Sequence, residues 1–114
     1  MEIRIVSQPI SMSELAAMAA PHFLDFVKAV VDVEKRIMAV GGELHADEEV
    51  FLLERGSAQQ NLWGINLYPG KTGDDFIEFD SMINLRPSQG NRSRWVDDPA
   101  IRVEISEIVA RLVE

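Results

Sequence analysis

The segment 86–94 holds the residues best suited to bind a charged ligand. It contains three arginines and no acidic residue, within a chain whose formal net charge is −8. A guanidinium matches a phosphate or a carboxylate with two parallel hydrogen bonds, so this composition predicts a loop that binds an anionic ligand or partner group. The side chains predicted to bind it are Arg86, Ser88, Gln89, Asn91, Arg92 and Arg94.

Two other interpretations of the arginines stay open. The segment 43–55 contains five acidic residues and one arginine, so the loop can pair with the chain's own carboxylates. Such exposed ion pairs contribute only about 0–1 kcal/mol each and need no ligand. The loop can instead dock a protein, because Trp95 follows it and tryptophan with arginine is typical of binding hot spots.

A second group of residues has the types needed for acid–base chemistry. In an extended strand Glu43, His45 and Asp47 would share one face, since side chains alternate with a period of two. With Asp80 they would suit a Mg²⁺ or Mn²⁺ ion or a small hydrolase of the phosphoesterase kind, with Glu43, His45 and Asp80 as catalytic candidates. The alternative is that Asp47 caps a helix and His45 is an ordinary hydrogen-bonded residue. We assign no metal ligands, and the cofactor is unknown.

Composition limits the class of protein. The chain has 114 residues, enough for one domain, and it has no cysteine, which excludes disulfides and thiolate metal sites. The negative net charge argues against nucleic acid, and no apolar run approaches the roughly 18 residues that span a bilayer. We therefore expect a cytoplasmic protein without a membrane partner. A homodimer joined through an open sheet edge is a third possible function.

The hydrophobic pattern predicts an α+β domain with a mixed or mostly antiparallel sheet, about three helices on one face, and the C-terminal helix packed on the sheet. A capping box, Ser11 with Glu14, starts the first helix, and Asp98 with Pro99 starts the last. The segment 46–55 fits a helix, with a strand as the alternative. The predicted strands are 2–7, 27–33, 36–40, 62–68, 76–79 and 82–86.

Three segments carry a resemblance to a known family. They are GELHAD at 42–47, LWGINLYP at 62–69, and IEFDSMINLRPSQGNRSR at 77–94, the most specific of the three. Together they resemble an uncharacterised family of small bacterial and archaeal proteins, a domain of unknown function. The resemblance implies a stand-alone prokaryotic domain and supplies no activity, cofactor or catalytic residue. Trp95 departs from the smaller residue of that family.

Overall fold

A computed structural model describes residues 2–114 and contains one five-stranded antiparallel sheet, with the strand order β1-β3-β2-β4-β5. The strands are β1 Arg4–Val6, β2 Val27–Asp32, β3 Ile37–Val40, β4 Leu62–Leu67 and β5 Ile77–Glu78. The helices are α1 Met12–Ala19, α2 His45–Leu53 and α3 Pro99–Leu112. The predicted α+β class is confirmed. No helix among the described residues is long and apolar enough to cross a bilayer.

The larger part of the core lies between one face of the sheet and helices α1 and α3. The sheet contributes alternating residues such as Val31 on β2 and Ile65 on β4, which the period of a strand places on one face. Leu15 on α1 and Ile105 and Ile108 on α3 pack against them, and all are fully buried. The predicted packing of the C-terminal helix on the sheet is confirmed.

The helices cover both faces of the sheet, so the expectation of helices on one face is wrong. Leu52 of α2 packs with Val30, Ala39 and Leu62 on the face opposite α1 and α3. The consecutive residues Val30 and Val31 are therefore both fully buried, on opposite faces. A continuous apolar run of this kind is typical of a strand that is covered on both sides.

Of the three predicted helix caps, two form and one does not. The capping box at Ser11 and the cap at Asp98 form as predicted. The segment 46–55 is helical, but α2 begins at His45 after Leu44, and no side chain caps it. Asp47 therefore lies inside the first turn, and its predicted capping role is wrong. The buried carboxyl of Glu48 instead accepts a hydrogen bond from the Gly42 N–H at 3.0 Å and ties the preceding loop to the helix.

The predicted strand at 82–86 is wrong, because Met82–Asn84 form a 3₁₀ turn. The Ser81 hydroxyl caps this turn by accepting a hydrogen bond from the Ile83 N–H. The turn packs directly on β4 at Gly64, where an added Cβ atom would lie 2.5 Å from the Ser81 Cβ atom. Glycine at this position thus lets the segment after β5 approach the sheet without joining it.

Candidate functional site

Arg86 is built into the fold. Its Nη1 atom donates to the Gln59 carbonyl at 2.6 Å, and its Nη2 atom donates to the Leu62 carbonyl at 2.5 Å. The guanidinium also stacks over the Trp63 ring, 4.2 Å from its centre. These contacts fix the turn that precedes β4 and direct both terminal nitrogens to main-chain carbonyls, while the buried Nε–H group has no partner among residues 2–114.

Two amide side chains of the loop are also committed to internal contacts. Asn91 is buried, and its Nδ2 atom donates to the Asn84 and Trp95 carbonyls, both at 2.7 Å. Gln89 donates to the Gln60 carbonyl at 2.9 Å. These two predicted ligand-binding residues therefore shape the loop.

The remaining candidates of the loop are exposed. Among residues 2–114, the side chains of Ser88 and Arg92 make no hydrogen bond or ion pair with the protein. Arg94 is half exposed, and its Nε atom donates to the Asp80 Oδ1 atom at 2.7 Å. Neither ion pair of the described chain joins the loop to the acidic segment 43–55, so the predicted pairing between them is not formed.

The ion pair of Arg94 belongs to a larger group of polar side chains on the α2 face of the sheet. In the sheet register Lys28 on β2 lies opposite Asn66 on β4, and Asn66 lies opposite Glu78 on β5. Opposed residues project to the same face, so the three side chains form a row across β2, β4 and β5. We define the polar cluster as Lys28, His45, Asn66, Glu78, Asp80 and Arg94.

His45 lies in the first turn of α2, and its imidazole is oriented by the sheet. The Nε2 atom lies 2.8 Å from the Ile65 carbonyl oxygen. A carbonyl oxygen only accepts, so Nε2 carries the proton and Nδ1 is unprotonated in the neutral ring. Burial, and then the positive charge of Lys28, hold the pKa of His45 below its usual 6.5, against the opposing effects of Ile65, Asn66 and Asp80. The ring is therefore neutral at neutral pH.

Asn66 forms the floor of the polar cluster and is only 6% exposed. Its Nδ2 atom donates to Glu78 Oε1 at 2.8 Å and to the Asp80 carbonyl at 3.2 Å. Its Oδ1 atom is buried and accepts no hydrogen bond of regular geometry from the protein. An unpaired buried polar atom costs roughly 1–3 kcal/mol, so a donor placed here by a ligand would gain that free energy.

The structure brings together only two of the three catalytic candidates. His45 and Asp80 lie on the same side of the sheet, close enough for the carboxylate to favour the charged imidazole. Glu43 is exposed and lines a groove with His22 and with Lys28 of the polar cluster, but no ion pair of the described chain joins it to the other two candidates. Because His45 and Asp47 are helical, the predicted alignment of Glu43, His45 and Asp47 along a strand is wrong.

The metal hypothesis lacks a ligand set in this structure. Within residues 2–114, no group of three or more histidine, aspartate or glutamate side chains is close enough to hold a metal ion. The Mg²⁺ or Mn²⁺ site considered with Asp80 is therefore not assembled by the described chain.

Three residues of the polar cluster were missed as site residues. Lys28, Asn66 and Glu78 are polar residues inside strand segments, and Asn66 and Glu78 have mostly apolar neighbours. That pattern signals a polar patch on a sheet face. Their common location depends on the pairing of β2, β4 and β5, which no local sequence signal specifies.

The architecture and this cluster define the chain as a small α+β domain with a candidate ligand site at the β5 end of its sheet. The chain belongs to the family described as "Protein of unknown function (DUF5674)", whose model matches residues 4–112. The predicted membership of a family of unknown function is thus confirmed. No curated protein and no solved structure matches the chain. The family description names neither an origin nor a compartment, so prokaryotic origin and cytoplasmic location stay predictions.

Proposed function

We propose that the polar cluster binds a small ligand in which an anionic group adjoins a hydrogen-bond donor. The observation that carries the proposal is the buried Asn66 Oδ1 atom, which accepts no hydrogen bond of regular geometry within residues 2–114. The neutral His45 lies beside it, and the cations Lys28 and Arg94 belong to the same cluster. Buried polar atoms are normally paired, so an unpaired one beside cations favours a ligand.

Arg94 is the residue that we assign to the anionic group. Only its Nε atom is engaged by Asp80, which leaves both terminal nitrogens free to donate. Lys28 is a second cation and makes no ion pair within residues 2–114. A hydroxyl or amino group of the ligand would donate to Asn66 Oδ1. A phosphorylated or carboxylated small molecule with a neighbouring hydroxyl or amine has this chemistry.

This proposal keeps the predicted anion-binding function but moves it from the loop as a whole to one of its arginines. Arg86 is held by main-chain carbonyls, whereas Arg92 is exposed and lies outside the cluster. Arg92 and Arg94 are both exposed and lie two residues apart, so a substitution of Arg92 is a matched control for the same substitution of Arg94.

Replacing Arg94 by Gln is expected to weaken binding of the anion by about 10-fold to 100-fold, because a charge-assisted hydrogen bond contributes roughly 1.5–3 kcal/mol. Arg92→Gln removes the same charge and is expected to leave affinity unchanged. Calorimetry with inorganic phosphate, a nucleoside monophosphate and a hydroxycarboxylate measures the affinity of each variant and of the wild type. Equal losses in the two variants would assign binding to the loop, and failure of all three probes to bind the wild type at millimolar concentration would refute the proposal.

A second candidate function is a small hydrolase of the phosphoesterase kind, and the geometry of His45 favours it. Its Nδ1 atom is unprotonated and Asp80 lies on the same side, so the ring suits a general base. We expect His45→Gln to abolish hydrolysis of p-nitrophenyl phosphate and His22→Gln to retain it. Because the pKa of His45 is lowered, the wild-type rate should fall only on acidification below about pH 6.5. Equal rates in both variants would remove this candidate.

A further inference from the structure

The strand β5 leaves one edge of the sheet open. The Tyr68 N–H donates to the Phe76 carbonyl at 2.9 Å, which makes these two residues a hydrogen-bonded pair of the ladder. Such pairs alternate in an antiparallel ladder, so the backbone groups of Ile77 and Phe79 point away from β4. Among the described residues, the N–H and C=O groups of Phe79 make no main-chain hydrogen bond. The edge can therefore accept a further strand.

A groove of about 530 Å³ runs between this edge and α3. The side chains of Ile77 and Phe79 line it from the strand, and Val109 and Val113 line it from the helix. Trp95, a large apolar side chain that also lines it, is 47% exposed. An open strand edge beside an apolar groove is the arrangement that takes up an added strand.

The two ends of the groove carry opposite charges. Asp74 lines it three residues before β5 begins, and Arg102 lines it at the other end, with its guanidinium 5.1 Å from the centre of the Trp95 ring. A two-fold axis through β5 places the grooves of the two copies side by side in opposite directions. Contacts across such an axis are reciprocal, so a residue at one end of the groove faces the opposite end of the partner's groove. This arrangement would bring Asp74 of each copy towards Arg102 of the other.

From the open edge and this charge complementarity, we infer that a second copy of the chain pairs with β5 about a two-fold axis and joins the two sheets into one. The other edge strand, β1, has three residues and carries Arg4, which makes an ion pair with Glu14 at 3.2 Å. The strand β5 is shorter and carries Glu78, so neither length nor charge distinguishes the two edges. The groove beside β5, which the apolar side chains of the strand and of α3 line, is what favours pairing there.

Sedimentation equilibrium of the full chain tests this inference. For the wild type we expect a species of twice the 12.8 kDa monomer mass. In Asp74→Arg the dissociation constant of this dimer should rise about tenfold or more, because like charges then meet across the interface. Asp75→Arg makes the same charge change at an exposed neighbour that does not line the groove, and it should leave dimerisation unchanged. Combining Asp74→Arg with Arg102→Glu should restore the dimer.

A second variant tests the strand pairing without using charge. Replacing the Ile77 amide by an ester removes an N–H that points to the open edge and not to β4, without the steric clash that a proline would make with the αR backbone of Phe76, so it should give a monomer with unchanged circular dichroism. A monomeric wild type at every concentration would overturn the inference. So would a dimer that Asp74→Arg and Asp75→Arg weaken equally. Both outcomes are independent of ligand binding, because the polar cluster occupies the other face of the sheet.

Discussion

Replacing Asn84 by Ala is expected to destabilise the domain by about 3–5 kcal/mol, because it leaves the Gly64 N–H and C=O groups without partners and removes one of the two donors to the Arg94 carbonyl. Asn84 is fully buried in the 3₁₀ turn after β5. Its Oδ1 atom accepts from the Gly64 N–H at 2.8 Å. Its Nδ2 atom donates to the Gly64 carbonyl at 2.9 Å and to the Arg94 carbonyl at 3.0 Å. Chemical denaturation of the two proteins measures the difference.

Asn61→Ala is the matched control for this experiment. The Asn61 side chain makes no hydrogen bond within residues 2–114, so its loss should change the free energy of unfolding by less than about 1 kcal/mol. A similarly small effect of Asn84→Ala would show that water replaces the amide of Asn84. Asn84 also holds the Arg94 carbonyl, so we expect its loss to weaken anion binding as well.

The local elements of this fold were predictable because their signals lie within a few residues of one another. The stripe of Ile101, Ile105, Ile108 and Leu112 and the cap at Asp98 specify α3 without reference to the rest of the chain. The alternation in 62–68 specifies β4 in the same way. The 3₁₀ turn at 82–84 was missed because its cause is tertiary. It depends on Asn84 bonding to Gly64, which lies twenty residues earlier.

The candidate site was less predictable than the fold. Arg86, Arg92 and Arg94 are identical in type and nearly adjacent, yet one binds main-chain carbonyls, one is exposed, and one pairs with Asp80. Composition gives the charge of the loop, but the direction of each guanidinium depends on what the rest of the chain packs beside it. For the same reason, the approach of His45 to Asp80 was a hypothesis that only tertiary structure could support.

The two proposals use opposite faces of the same short strand. Side chains alternate along β5 and its continuation, so Glu78 and Asp80 belong to the polar cluster while Ile77 and Phe79 line the groove beside α3. In a dimer paired through β5, the polar clusters of the two copies would therefore lie on the same face of one continuous sheet, and the partner would not cover Asn66. Ligand binding and dimerisation are thus compatible, and a variant that removes one should leave the other intact.

The second large effect is expected at Glu48, which we predict to be protonated in the folded protein. The side chain is fully buried, its Oε2 atom accepts from the Gly42 N–H, and its Oε1 atom has no partner. Burial raises the pKa of Glu48 from 4.5 to about 9. Between pH 4.5 and about pH 9, Glu48 is ionised in the unfolded chain but protonated in the folded chain, so the unfolded state binds fewer protons. Stability should therefore fall as pH rises, by at most about 1.4 kcal/mol per pH unit.

Glu48→Gln has nearly the shape of the protonated acid and does not ionise, so we expect it to remove this slope. Relative to the wild type, the variant should gain on the order of 3 kcal/mol between pH 4.5 and pH 7. Denaturation curves at several pH values measure the gain, and groups present in both proteins, such as His45, cancel in the difference. Asp47→Asn removes an exposed carboxylate next to Glu48 and should keep the wild-type slope. Parallel pH profiles for Glu48→Gln and the wild type would instead mean that Glu48 is charged in the fold, which requires a cation or water beside the Oε1 atom.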